Sequence, residues 1–153
     1  MTPATHKSIV ILMADDDADD RLLARDAFHE CQLDRELEFV ENGEELMDYL
    51  RHHGKYAARP DERLPGLILL DLNMPRKDGR EALQEIKSDP ELRRIPVVIF
   101  TTSRADTDIG RVYDLGANSF ITKPVAFDAL VEVMRALGQY WINTVELPNA
   151  RVS

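Results

Sequence analysis

Three short runs of this chain, SIVILMA (8–14), GLILLDL (66–72) and PVVIFTT (96–102), are apolar at nearly every position. A strand with one wet face alternates apolar and polar residues, so a continuous run predicts a strand covered on both faces, as in a parallel sheet. Two further β-rich stretches, LEFVE (37–41) and NSFIT (118–122), bring the predicted strands to five.

Amphipathic segments separate them. In the first, Ala24, Ala27, Phe28 and Cys31 recur at helical spacing. Asp17 stands where an N-cap is expected, with Asp19 and Asp20 in a first turn that favours negative charge. The second segment starts at Gly43, with Leu46, Met47 and Leu50 on one face. The third starts at Gly79 and closes before Asp89-Pro90. A fourth runs from about 106 to 115 and stops at Gly116. The last spans 125 to about 142, with Phe127, Leu130, Met134, Leu137 and Trp141 in one stripe. Strand and helix thus alternate five times, which predicts a doubly wound (βα)5 α/β fold with helices on both faces of one parallel sheet. At 153 residues the chain has the size of one domain, read as 8–143 with short tails at 1–7 and 144–153.

The formal charge of −9 argues against a broad nucleic-acid surface, which needs a basic stripe. No run has the length of a membrane span, and the apolar run near the start is too short for a signal peptide. A single cysteine, Cys31, allows no internal disulfide and fits a reducing cytoplasm. His52 and His53, with no Cys or further His near them in sequence, are not read as metal ligands.

In an open parallel sheet, ligands bind beyond the carboxyl ends of the strands. Asp15 and Asp16 end the first predicted strand and Asp71 the third. Thr101, Thr102 and Ser103 end the fourth, and Lys123-Pro124 the fifth. Three carboxylates, a set of hydroxyls and one ammonium therefore meet on one rim. Carboxylates so close resist ionising together, so at least one is expected to have a raised pKa. A Mg²⁺ ion (or Mn²⁺) together with Lys123 would neutralise all three, and Mg²⁺ readily adds a phosphate oxygen.

These residues resemble the receiver domain of response regulators, the phosphoacceptor partners of sensor histidine kinases, which has a flavodoxin-like fold. The likeness rests on Asp15-Asp16, LLDLNMPRKDG (69–79), FTTS (100–103) and SFITKP (119–124), in the family's order and covering almost the whole chain. The resemblance implies that Asp71 accepts the phosphoryl group. It also implies that Asp16, Asp71 and the Asn73 carbonyl hold the cation, with Asp15 acting through water or as a charge. Lys123 would neutralise phosphoryl oxygens, Thr101 would donate to the new phosphate, and Phe120 would hold the aromatic switch position. Asn73 and Ser103 would influence how quickly the phosphate is hydrolysed. A cis peptide at Lys123-Pro124 is expected on the same grounds. The long loop before Pro65 and the ending YWINTVELP are similar to single-domain regulators paired with bacterial phytochromes, which implies a light-sensing kinase as partner. The fourth helix, fifth strand and fifth helix, where Val133, Leu137 and Tyr140 make a second apolar edge, would form a homodimer face extended by Trp141 and the tail to Pro148.

Two other readings compete. A haloacid-dehalogenase-type Mg²⁺-dependent phosphohydrolase also forms an aspartyl phosphate, but its nucleophile lies after the first strand with a second aspartate two residues on, where this chain has Asn73. A receiver-shaped scaffold that is never phosphorylated usually lacks one of Asp15, Asp16, Asp71, Thr101 and Lys123, all of which are present.

Overall fold

The computed structural model describes residues 9–33, 37–58, 64–102, 106–142, 144 and 147. The apolar runs form β1 (Ile11–Ala14), β3 (Leu67–Leu70) and β4 (Val97–Thr101), and the two shorter stretches form β2 (Leu37–Val40) and β5 (Ser119–Thr122). All pair in parallel, in the order β2-β1-β3-β4-β5. The chain reverses its direction of travel across the sheet between β1 and β3, which makes the gap between those strands the topological switch point.

Each central strand is buried along its length, and its alternate residues enter two separate cores. Leu12, Ile68, Leu70, Val97 and Ile99 face α2 (Gly43–Arg51) and α3 (Gly79–Ser88), which contribute Leu46, Met47, Leu83 and Ile86. Val112 of α4 (Asp106–Asp114) joins that core. Ile11, Met13, Leu69, Val98 and Phe100 face Ala24, Ala27 and Phe28 of α1 (Ala18–Glu30), and Leu130, Met134 and Leu137 of α5 (Phe127–Leu137). Both strand faces are dry, as the unbroken apolar runs required.

The helix starts are fixed by short polar side chains. Asp17 caps α1 by accepting from Asp19 and Asp20 N–H, Asn42 caps α2, and Asp78 forms a capping box with Glu81 on α3. The last helix departs from expectation. It begins at Phe127 rather than Val125, because Ala126 is still extended, and Val125 lies in solvent. Phe127, placed on the buried stripe by periodicity, is 38% exposed. After Leu137 the backbone widens into a π turn, Gly138–Ile142, which leaves Tyr140 exposed while Trp141 packs on the core beside α5. The expected cis bond at Lys123-Pro124 is corrected as well: it is trans, the lower-energy form even before proline.

Candidate functional site

The strand ladder itself delivers the polar residues to the rim. One hydrogen bond beyond each strand end, Asp15 N–H donates to the Val40 carbonyl (3.1 Å), Asp71 N–H to that of Ala14 (3.1 Å), and Lys123 N–H to that of Thr101 (2.8 Å). These backbone bonds put Asp15 and Asp71 side by side at the switch point and bring Lys123 over from the sheet edge.

The side chains then close on one another. Asp71, 7% exposed, accepts at Oδ1 from the buried Thr101 hydroxyl (2.7 Å) and from Asn73 N–H (3.3 Å). Asp15, fully buried, accepts from Asp17 N–H at 2.9 Å. The Lys123 ammonium sits 2.5 Å from Asp15 Oδ2, 2.8 Å from Asp20 Oδ2 and 3.5 Å from Asp71 Oδ2. Burial pushes the Asp15 pKa up against the pull of Lys123 and the Asp17 amide, and the charge of Asp71 adds a smaller push. Crowding of carboxylates does raise one of them, but loss of water contributes more than the neighbouring charge. Burial opposes the Lys123 charge, yet the hydrogen bonds to Asp15 and Asp20 and the charge of Asp71 outweigh it and hold its pKa above the ordinary lysine value.

Asp15, Asp16 and Asp71 offer oxygens that all lie within 4.8 Å of one another, with Asp16 open to solvent. An all-oxygen donor set with an open side suits a hard divalent cation that keeps several waters, so the residues present fit Mg²⁺ or Mn²⁺. Phe120, on β5, is half-buried against the core that faces α3. Thr102 is exposed at the rim. Ser103 and most of the tail beyond Ile142 lie outside the described residues.

Two participants were not expected. Asp20, read only as a favourable charge in the first turn of α1, holds Lys123. Arg21 donates from Nη1 to the Asp15 carbonyl (2.8 Å) and pins the turn between β1 and α1. A signal for Asp20 exists in the sequence. Side chains lean toward a helix's N-terminus, so a residue in the first turn leans toward the strand end that precedes it.

Glycines bring the loop after Asp71 close to its neighbours. A Cβ on Gly79 would lie 2.2 Å from the Asp71 carbonyl oxygen, and one on Gly43 would lie 2.1 Å from that of Lys77. Gly79 N–H donates to Leu72 O (2.9 Å), and Gly43 N–H to Lys77 O (3.0 Å). The acceptor loop is thereby clamped between α2 and α3.

The family model of the response regulator receiver domain matches residues 11–135. The chain belongs to that family. It is 38% identical over 150 residues to the response regulator Rcp1 of Synechocystis sp., an alignment covering 98% of this chain and all of Rcp1. Among solved structures it is similar to the phosphorylated cyanobacterial phytochrome response regulator RcpA. The TM-score is 0.84 and the identity 42%, over 93% of this chain and 99% of RcpA. It is likewise similar to the Mn²⁺-bound form of Rcp1, with TM-score 0.82 and 39% identity over 92% of this chain and 99% of that one. The acceptor candidate thus stands just beyond the end of β3 in a receiver fold, and the phosphohydrolase alternative is not favoured.

Proposed function

We propose that this chain is a phosphoacceptor switch in a two-component phosphorelay, taking a phosphoryl group onto Asp71 from a phosphohistidine of a sensor kinase. The observation that carries this reading is the convergence of the Asp71 carboxylate, the Thr101 hydroxyl at 2.7 Å and the Lys123 ammonium at 3.5 Å beside two further carboxylates. A carboxylate oxygen of Asp71 forms the new P–O bond as the P–N bond to the imidazole breaks and its electron pair returns to the histidine. Asp16, Asp71 and the Asn73 carbonyl would hold Mg²⁺ or Mn²⁺, with Asp15 acting through water or as a charge. Bound there, the cation offsets negative charge on the transferred oxygens. Lys123 supplies the fixed positive charge of the protein itself.

The acyl phosphate carries about two negative charges where the carboxylate carried one. Thr101, already donating to Asp71, and Lys123 are in place to take up the difference. Such contacts differ between the two states, as a population shift requires. Phe120, packed beside β4, is the side chain whose repacking would carry the change outward. The chemistry is stoichiometric, and the chain would not turn over as an enzyme. We take residues 8–143 as the switch unit and a cytoplasmic location as its setting.

The partner we infer is a phytochrome histidine kinase, because RcpA, similar over nearly the whole of both chains, is a phytochrome response regulator. Incubation with a purified, autophosphorylated phytochrome kinase should move label to the wild type and not to Asp71→Asn. Label retained on the kinase would count against that partner.

A homodimer through α4, β5 and α5 is supported by Tyr113, Val125, Phe127 and Tyr140, four large apolar side chains exposed on those elements or beside them. Leu147 of the tail is not free for such a contact, since it lies against Gly66 just before β3. Sedimentation should show a dimer at micromolar concentration; a monomer with and without phosphorylation would oppose it.

A further inference from the structure

We propose that Asp20 is a positioning residue for Lys123: together with Asp15 it holds the ammonium off the Asp71 carboxylate a divalent cation must use, while leaving it within reach of Asp71. This rests on the cation reading given above and adds a residue to it. Lys123 Nζ has three N–H bonds and three carboxylates around it, Asp15 at 2.5 Å, Asp20 at 2.8 Å and Asp71 at 3.5 Å. Two of these, Asp15 and Asp71, belong to the cluster whose oxygens lie together, and Asp20 does not. The ammonium and a cation therefore compete for Asp71 and draw on the same charge of Asp15, and Asp20 is the anion outside the cluster that can keep the ammonium when the cation arrives.

The geometry suits that role. Asp20 comes from the first turn of α1, whose start is fixed by Asp17 accepting from Asp19 and Asp20 N–H. Its side chain is one-third exposed, whereas that of Lys123 is 10% exposed. The pair thus lies at the wet edge of the site, and the ammonium can pivot there without leaving its partner. Without Asp20 the ammonium, still held by Asp15, would move closer to Asp71, from which a cation would first have to displace it.

Mg²⁺ binding is measured by titration calorimetry on the full chain as wild type, Asp20→Ala, Lys123→Met and the double variant, each first shown to be folded by its thermal melt. Asp20→Ala should weaken Mg²⁺ binding about fivefold, the upper end for an ion pair at a partly exposed site. In the Lys123→Met background the same substitution should change affinity less than twofold, because there is no ammonium left to place. An equal loss in both backgrounds would mean that Asp20 acts by its own charge, and would overturn the proposal. So would an unchanged affinity of Asp20→Ala. Absence of saturable binding by the wild type would instead overturn the cation reading beneath it. Should Lys123→Met fail to fold, Lys123→Gln replaces it, since its amide can still donate to the buried Asp15.

Discussion

Substituting Gly79 by alanine should disturb the acceptor site without touching any of its side chains. The added Cβ would lie 2.2 Å from Asp71 O, 2.7 Å from Leu72 Cα and 3.0 Å from Asp71 C, all of them backbone atoms that cannot swing aside. Either the start of α3 or the end of β3 must give by about an ångström. Overpacking of this kind costs about 1–3 kcal/mol, of which the lower entropy of an unfolded alanine returns roughly 0.4–1. The net loss, about 1.3 kcal/mol at the middle of those ranges, corresponds to a melting temperature roughly 3–5 °C lower for a chain of this size. The displaced carboxylate should also react more slowly with acetyl phosphate, since a shift of about 1 Å in a reacting group can cost on the order of a hundredfold. Gly110, in α4, is the internal control. A Cβ there meets nothing within 4 Å, so Gly110→Ala should raise stability by about 0.5–1 kcal/mol through helix propensity. Thermal melts and the rate of phosphoryl labelling test both variants. A Gly79→Ala protein that melts and labels like the wild type would refute the claim that this contact sets the position of Asp71.

Two smaller effects follow from the same structure. Asp17→Ala removes the acceptor of two amides at the start of α1 and should lower stability by about 1 kcal/mol in denaturant unfolding; no change would mean that another group caps the helix. Glu45 is held below the ordinary glutamate value: burial pushes its pKa up, but hydrogen bonds from Lys55, Tyr56 and the Glu41 amide outweigh it. The fold therefore gains from its ionised form above pH 4.5 and loses that gain as pH falls through 4.5 toward the lower folded value. Glu45→Gln should flatten that part of the stability profile, and an unchanged slope would assign the acid sensitivity elsewhere.

The fold was legible because its strands announce themselves. Runs such as LILL and VVIF are buried on both faces, and Asp17, Gly43 and Gly79 mark helix starts that the structure places at the expected residues. The convergence of Asp15, Asp71, Thr101 and Lys123 was legible too, because in a parallel sheet strand ends share one rim. Less visible was anything that depends on where a long side chain goes. Lys123 reaches both Asp15 and Asp20, and its second partner lies on a different element, more than a hundred residues earlier. Periodicity also overran the real helix at the start of α5, while at the other end the winding continues to Ile142 as a π turn. A stripe extrapolates past the sheet that buries it, which is why Phe127 proved exposed, whereas Trp141 of the same stripe still packs on the core.

The central claim is that Asp71 is the phosphoacceptor, and intact mass spectrometry after incubation with Mg²⁺ and acetyl phosphate tests it most directly. Wild type should gain one phosphoryl group, lost again on treatment with hydroxylamine, while Asp71→Asn should gain none. A wild type left unmodified by both acetyl phosphate and a phosphorylated kinase, or an Asp71→Asn protein labelled as fully as the wild type, would contradict the account.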